Sequence, residues 1–402
     1  VVPRFVNGRF QVGLPWLDER RPGLTSKQAL TRLVGFNRRP LEYRTQYAAV
    51  FKEYKDAGIL EPAAEQGGNF IPHHGIAQKG KLRIVYDASA KPWEGPSLNE
   101  CLFQGENLLA DLVNIVVRFR LPVFPFIADV EKAFLMVGVE EKDRDFLKIA
   151  WKDGDGALHF DRFARVPFGI SCGPHLLLKT LHHHLDAQPP SPVVDIIRRS
   201  LYMDDLVTGA DSLADVLILK EEATRILSEA GMHLRKFVSV PRLQALWSAE
   251  PPAPCKVLGV AWSPLEDMIS VSLKLDAAFT RREVLSSVAK VFDPLGLVAP
   301  WLIGAKLLLQ ELCRSSPEWD APLDSSLQAE YDAMVEDSSD RRLALPRRVC
   351  FSAESELFIF CDASPQAYAA VAYLRTGGAV QFLLARARVA PLKPAMTVPR
   401  LE

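Results

Sequence analysis

Two adjacent carboxylates, Asp204 and Asp205, framed by Tyr202-Met203 and by apolar residues, are the clearest chemistry in this chain. Neighbouring acids repel and resist shared ionisation, so they are best sustained where a cation sits between them and a third acid. The flanks, Ile196-Ile197 and Leu201 before and Leu206-Val207-Thr208-Gly209 after, predict a tight β-hairpin with the acids at its turn. Such a turn aims both acids at solvent or at a metal. Magnesium takes oxygen ligands, usually one or two carboxylates plus substrate phosphates. A bare Asp-Asp would otherwise read as an acidic surface turn. A third acid is supplied upstream. Phe126 to Ala128 predict a short buried strand ending on Asp129, and Glu131-Lys132-Ala133-Phe134 predict the start of a helical turn. Alone, Asp129 would read as a helix N-cap. Together the three acids suit in-line displacement at phosphorus. In that reaction two metals roughly 4 Å apart clamp the attacking and leaving oxygens, and the protein mainly positions charge.

The tetrad Tyr202-Met203-Asp204-Asp205 resembles the catalytic motif of reverse transcriptases. Asp129, followed five positions later by Phe134, resembles their first metal-binding motif. The resemblance implies that Asp129 and Asp204 bridge the metals, with Asp205 at the periphery and the Val130 carbonyl as a further ligand. Tyr202 and Met203 would lie beside the nucleotide. Phe134 would lie under the sugar and clash with a ribose 2′-hydroxyl, selecting deoxynucleotides; its ordinary fate would be core packing. The implied cofactor is a pair of Mg2+ ions, with Mn2+ as a substitute.

Further segments fit the same family. Gly80 to Asp87 alternate basic and apolar residues, predicting a half-exposed strand. It resembles the fingers strand, which places Arg83 on the triphosphate, with Lys79 or Lys81 beside it; a solvated basic strand is the plain alternative. Val166-Pro167-Phe168-Gly169-Ile170-Ser171-Cys172-Gly173-Pro174 resembles the turn under the template strand and incoming base, with Phe168 where retroviral enzymes carry Gln. The backbone at Phe168 and Gly169 would then serve the nucleotide. An apolar helix follows from Leu176 to Leu185. It carries His182-His183-His184, which cannot share a helical face and so make a poor metal site. Ser212 to Asp215 predict a capped helix start, Leu213, Val216, Leu217, Ala223, Ile226 and Leu227 an apolar stripe, and Gly231 the helix end. Lys236 resembles the lysine that approaches the leaving pyrophosphate, with Arg235 as rival. Lys256 to Trp262 resemble the primer-grip hairpin. There Leu258 and Gly259 allow close approach, and Trp262 packs on the sugar or fills the core.

The branch is read from Thr280 to Pro300, from Gly8 to Trp16 and from Tyr86 to Ala90, which look like BEL/Pao-type retrotransposon polyproteins. Val284, Val288 and Val291 share a helical face, leaving Arg281, Arg282 and Lys290 for phosphates, as in a thumb helix along a duplex. A second amphipathic helix runs from Trp301 to Arg314. Glu356–Asp362, Ala369–Leu374 and Ala379–Arg388 predict strands, with a turn at Gly377-Gly378. Phe360-Cys361-Asp362-Ala363-Ser364 resembles the first catalytic strand of ribonuclease H, and Pro399 to Glu402 its first helix. Asp362 and Glu402 would be its first two metal ligands, in a nuclease domain expected to be truncated and inactive.

The resemblance therefore implies an α+β, right-hand polymerase: fingers, a palm with an antiparallel sheet and a helical thumb, followed by a partial ribonuclease H-like α/β domain. The expected divisions are an N-terminal extension at 1–39, fingers and palm at 40–275, thumb and connection at 276–350, and the nuclease-like piece at 351–402. The polar stretch Asp337–Arg348 reads as the boundary. Pro189–Pro192 and Pro251–Pro254 read as internal loops.

Bulk properties are compatible with this organisation without pointing to it. The 402 residues carry a net charge of −1, so nucleic-acid binding must rely on local basic stripes. Six cysteines show no Cys-x-x-Cys pair, which argues against a zinc module and fits a reducing compartment. No apolar run predicts a membrane span. The expected partners are an RNA or DNA template with its primer, deoxynucleoside triphosphates, and the capsid, protease and integrase domains of a polyprotein. The expected location is a cytoplasmic retrotransposon particle, or the nucleus. Two alternatives stand beside the polymerase. One is a retrotransposon aspartic peptidase using the Asp87 and Asp362 triplets, although the chain has no Asp-Thr-Gly or Asp-Ser-Gly. The other is a catalytically dead remnant that only binds nucleic acid.

Overall fold

The strand Phe124–Val130 is buried at five of its seven positions. Only a central strand covered on both faces tolerates that pattern. In this computed structural model, which describes residues 2–401 apart from 24, 79, 316, 317, 340 and 393–396, it lies inside a four-stranded sheet. The order is Leu201–Tyr202, Asp205–Ala210, Phe124–Val130, Leu234–Ser239. The chain divides into two compact units. One unit holds Val1–Leu109, Asp129–Asp204 and Glu221–Arg235; the other holds Ala110–Ala128, Asp205–Lys220 and Lys236–Glu402.

In the first unit the N-terminal stretch is part of the fold rather than an appendage. Arg4–Val6 and Arg9–Val12 form a hairpin, and the second strand runs parallel to Gly138–Val139. The Leu14 amide and the Trp16 indole N–H both donate to the Asp143 carboxylate, at 2.8 and 2.9 Å. The helix Leu41–Asp56 buries Tyr47 and Phe51 against His73 and Trp151. The strands His73–Gln78 and Lys81–Tyr86 pair antiparallel, bringing Ile76 opposite Arg83.

Sequence reading placed Ile196-Ile197 in a strand leading to the tetrad, and the structure corrects this. Pro192–Ser200 is a helix: Ser191 caps it by accepting from the Val194 amide, Pro192 opens it, and Arg198 and Arg199 sit in its last turn. Val194 and Ile197, three apart, are its buried face. The chain enters the hairpin only at Leu201. After it, the helix Leu213–Glu229 starts as expected, with the Ser212 hydroxyl accepting from the Asp215 amide at 3.0 Å. It ends in a Schellman turn in which Gly231 donates to Ser228 and Met232 to Leu227. Its buried stripe uses Leu219 and leaves Leu217 exposed.

The second unit contains a meander, Cys255–Val257, Val260–Ser263, Met268–Leu273 and Arg341–Pro346. The last of these strands lies within the stretch read as a domain boundary. It pairs with Met268–Leu273 over six residues, because Leu343 and Leu345 offer an alternating apolar face that the charges obscured. Arg347 just beyond it is fully buried and pairs with Asp267. Helices Arg281–Lys290, Ala299–Ser315 and Ser325–Ser338 enclose a core of Val284, Leu302, Leu308, Leu312 and Tyr331. The last sheet is Glu356–Ala363, Ala367–Thr376 and Ala379–Val389 in that order. Among the described residues no helix is long and apolar enough to cross a membrane.

Candidate active site

Asp129 is the penultimate residue of the buried strand Phe124–Val130 and is itself half-buried. The next amide, Val130, donates to the Asp204 carbonyl at 2.7 Å, and the Glu131 amide donates to the His233 carbonyl at 2.9 Å. Residues 129 and 204, far apart in sequence, are thereby held at neighbouring positions of one sheet. Met203 and Asp204 form the two-residue turn between Leu201–Tyr202 and Asp205–Ala210. Met203 takes a left-handed backbone, φ 55°, a conformation that costs a side-chain-bearing residue roughly 1 kcal/mol. Tyr202, Met203, Asp204 and Asp205 are all half-buried, while Leu206 and Val207 beyond them are buried. The turn is thus anchored by apolar side chains on its outgoing strand.

Among the described residues no group of three or more His, Cys, Asp or Glu side chains is arranged to hold a metal. The candidate donors, Asp129, Asp204, Asp205 and the Val130 carbonyl, are oxygen-only. That set suits a hard divalent cation that arrives with phosphate oxygens rather than one caged by protein alone.

Phe134 lies on the short helix Ala133–Met136, which begins after Lys132 in a left-handed conformation, φ 50°. Arg9 donates to the Met136 carbonyl at 2.9 Å and closes this helix. The Phe134 ring is half-buried and meets the Phe168 ring edge-on, 5.3 Å between centroids. Phe168 is 42% exposed. Gly169 follows at φ 91°, and a Cβ there would sit 2.3 Å from the Tyr86 carbonyl, so only glycine fits this approach. Asn99, unnoticed in the sequence reading, spans the same turn. Its amide nitrogen donates to the Gly169 carbonyl at 3.0 Å and to the Ser89 hydroxyl at 2.8 Å, and its oxygen accepts from the Ser171 amide at 2.8 Å. The available signal was the capping box Ser97-Leu98-Asn99-Glu100, which is fully formed. The Lys91 ammonium and the Ser97 donors draw the Glu100 carboxyl down to about 2.

Arg83 is exposed on its strand. Lys81 pairs through its backbone with Gln78, and Lys79 lies outside the described residues. Lys236 is exposed on Leu234–Ser239 at φ 53°, and Arg235 beside it pairs with Glu131 at 3.2 Å. Leu258 and Gly259 form the expected tight hairpin turn, φ 48° and 94°, with Val257 opposite Val260. Of the two fates read for Trp262, the structure shows core filling rather than a place on the sugar. Trp262 is 1% exposed, stands edge-on to Phe119 and donates to Asp267 at 3.0 Å. The basic face expected on Arg281–Lys290 is also altered. Arg281 is buried over Trp319, while Arg282 pairs with Asp320 and Lys290 with Asp276. Of the histidine triplet, His184 is the buried ring, bonded to the Ile226 carbonyl at 2.7 Å.

Asp362 lies near the end of Glu356–Ala363, exposed, its carboxylate accepting from the Ala363 amide at 2.9 Å. Glu402 lies outside the described residues. A groove of about 610 Å³ runs beside Asp362, between Phe360, Tyr373 and Phe382 and the chain at Leu297–Ile303. The other Asp-Ala-Ser triplet belongs to the other unit, where Asp87 faces Arg32 at 3.4 Å.

Residues 280–402 match the family described as the Pao retrotransposon-like RNaseH-like domain. The match begins at the three-helix segment that sequence reading gave to a thumb. A search of the curated proteins finds no match. Among solved structures, the chain is similar to the foamy viral protease-reverse transcriptase in three complexes. With double-stranded DNA, a form called dRH shows 15% identity and a TM-score of 0.59 over 97% of this chain and 60% of that one. A second complex with double-stranded DNA shows 15% identity and a TM-score of 0.60 over 100% of this chain and 75% of that one. A complex with an RNA/DNA hybrid shows 14% identity and a TM-score of 0.56 over 96% and 46%. The chain thus spans about 60% of the first of these proteins. It has a mixed α/β fold resembling a retroviral reverse transcriptase, with an RNaseH-like domain at its C-terminal end.

Proposed function

We propose that this chain is the RNA-directed DNA polymerase region of a Pao-type retroelement, adding deoxynucleotides to a primer 3′ end on an RNA or DNA template. The observation that carries the reading is the bond from the Val130 amide to the Asp204 carbonyl. It makes neighbours of two acids from separate motifs on one covered sheet. The fold likeness to proteins solved with double-stranded DNA and with an RNA/DNA hybrid supports it.

In this reading the primer hydroxyl, giving its proton to solvent, attacks the α-phosphate of a deoxynucleoside triphosphate. A P–O bond forms to the primer oxygen as the α–β bridging bond breaks, and pyrophosphate leaves. Asp129, Asp204, Asp205 and the Val130 carbonyl are the groups that would hold two Mg2+ ions. When bound, the ions neutralise charge on the attacking and leaving oxygens. The exposed Arg83 guanidinium takes triphosphate oxygens in its planar fork. Lys236 donates the proton that the leaving pyrophosphate needs. Phe134 and Phe168 form the wall beneath the sugar. In the C-terminal domain, Asp362 is the first ligand position of a ribonuclease H-like site. Further domains of the same polyprotein are expected as partners within a cytoplasmic particle.

The test is extension of a labelled template–primer by purified chain with Mg2+ and deoxynucleotides, beside Asp204→Asn. Extension by the natural sequence alone supports the polymerase. Extension by neither leaves a nucleic-acid-binding remnant.

A further inference from the structure

We propose that Asn99 is a positioning residue for sugar selection: it fixes the Phe168-Gly169 turn, and through Phe168 it sets the Phe134 ring that excludes a ribose. The inference rests on the polymerase reading and deepens it.

The wall is made of two rings, and the Phe134 ring also lies against Gly173, where a Cβ would stand 3.4 Å from it. Phe168 is 42% exposed and Phe134 is half-buried on a helix of four residues. Packing alone therefore leaves the Phe168 ring room to shift. What limits it is the backbone on either side of Gly169. Asn99 clamps that backbone at two points, the Gly169 carbonyl and the Ser171 amide, which lie on opposite sides of Ile170. An amide side chain is the right group, because it donates from one atom and accepts at the other. The close approach of Gly169 to the Tyr86 carbonyl closes the third side.

Asn99 is itself well supported. Its own amide donates to the Ala88 carbonyl at 3.1 Å, and its side chain reaches the Ser89 hydroxyl. The helix that carries it is closed by the Ser97–Glu100 capping box, with Lys91 paired to Glu100 at 2.8 Å. The Ala88-Ser89 pair, read from the sequence as part of a family marker and of the peptidase alternative, thus has a mechanical purpose. It anchors the residue that anchors the turn. The turn in turn carries Phe168 against Phe134 at 5.3 Å. A displacement of about 1 Å at such a wall is enough to change discrimination strongly.

The experiment measures single-nucleotide incorporation on a template–primer with the full chain, using dTTP and UTP in parallel with matched templates. The readout is the ratio of kcat/KM for the two nucleotides. Asn99→Ala is expected to lower the preference for the deoxynucleotide about tenfold, mostly by improving UTP use. Asn99→Asp keeps the acceptor but loses both donors, and is expected to fall between. Ser89→Ala removes one anchor of Asn99 and is expected to lower the ratio two- to threefold; it serves if Asn99→Ala fails to fold. Phe134→Val is the reference for a lost wall. A ratio unchanged in Asn99→Ala, or in Ser89→Ala where Asn99→Ala does not fold, while Phe134→Val loses selectivity, overturns the inference and leaves the polymerase standing. Loss of kcat for both nucleotides with the ratio intact also overturns it, since that marks a general structural role. No incorporation by the natural sequence overturns the polymerase reading and this inference together.

Discussion

Asp129 and Asp362 occupy the same place in two very different sheets. Each is the penultimate residue of its strand. The strand before Asp129 is buried at five of seven positions, whereas the strand holding Asp362 is exposed at seven of eight. In the first, Phe126 is fully buried against Phe237 and Trp247. In the second, Leu357, Ile359 and Phe360 are each more than half exposed on the edge of a three-stranded sheet. Burial on both faces fixes register, because a slip of one residue would turn every side chain over. An open edge strand lacks that constraint. A carboxylate at the end of a covered strand is therefore placed with the precision that charge stabilisation demands, and one at the end of an open strand is not.

The sharpest test of that contrast is activity. Asp129→Asn and Asp204→Asn preserve shape and remove charge. Each is expected to reduce template–primer extension on the order of 10³-fold, with melting temperatures near that of the natural sequence. A reduction under tenfold at either position would separate the covered sheet from catalysis. Mn2+ in place of Mg2+ is expected to restore part of the rate only where two acids remain.

The next test concerns how the open sheet is tied down. Arg347 donates to both oxygens of Asp267, at 2.7 and 2.8 Å, and to the Phe119 and Pro122 carbonyls. Arg120 beside it donates to the Arg347 carbonyl and to the Leu383 carbonyl in the last sheet. Burial, with Arg347 adding to it, lowers the Arg120 guanidinium to about 10, so Arg120 stays cationic at neutral pH. Arg347→Ala leaves Asp267 uncompensated and is expected to cost about 4 kcal/mol in denaturant unfolding. Arg347→Lys cannot reproduce the fork and is expected to recover less than half of it. If Arg347→Ala costs under about 1 kcal/mol, the clamp is not what holds this region.

Much of the four-stranded sheet was legible because its signals are local. The apolar run ending at Asp129, the turn at Met203-Asp204, the Ser212 cap and the Gly231 stop each depend on neighbours in sequence. One misreading came from passing over a local helix start, and the others from non-local burial. Ile196-Ile197 looked like a strand because hydrophobicity was weighed before the Ser191-Pro192 helix start. Asp337–Arg348 reads as a boundary from its charge, while the strand partner of Arg341–Pro346, Met268–Leu273, lies far away in sequence. Arg281 and Trp262 looked available because nothing nearby reveals Trp319 or Phe119 as the surfaces they pack on. Asn99 was missed for the same reason: the backbone it serves begins seventy residues later. Alternation in Glu356–Asp362 gave the strand correctly but could not say whether anything covers it.

Acid titration offers a third comparison, within the first unit. His73 is enclosed by Tyr47, whose hydroxyl lies 2.7 Å from its ring nitrogen, and by Phe51 and Tyr86. Burial, opposed by the Ile71 carbonyl and aided by His74, lowers its pKa from 6.5 to about 4. The unfolded chain therefore binds this proton first. The neutral ring's contribution is fully present above pH 6.5 and is lost progressively as the pH falls to 4 and below. In the limit the loss is about 3 kcal/mol. His73→Phe is expected to flatten the stability–pH curve over that window, whatever its cost at neutral pH. An unchanged slope would assign the acid sensitivity to other groups.

The smallest expected effect is the one that most directly probes the open sheet. Ile359 is 64% exposed and Phe360 60% exposed, so each has little burial to lose. Ile359→Thr keeps the β-branch and its strand preference, and is expected to change unfolding free energy by under about 0.5 kcal/mol. The matching change in the covered sheet, Phe126→Ala, should cost about 3 to 5 kcal/mol, which sets the scale. Exposed apolar edges do matter for association, however, since an unpaired strand is a template for another. Ile359→Thr should therefore lower concentration-dependent light scattering while leaving the unfolding midpoint in place. A shift of several degrees in the midpoint would mean that Ile359 is covered in solution, and that the contrast between the two sheets is smaller than their exposure implies.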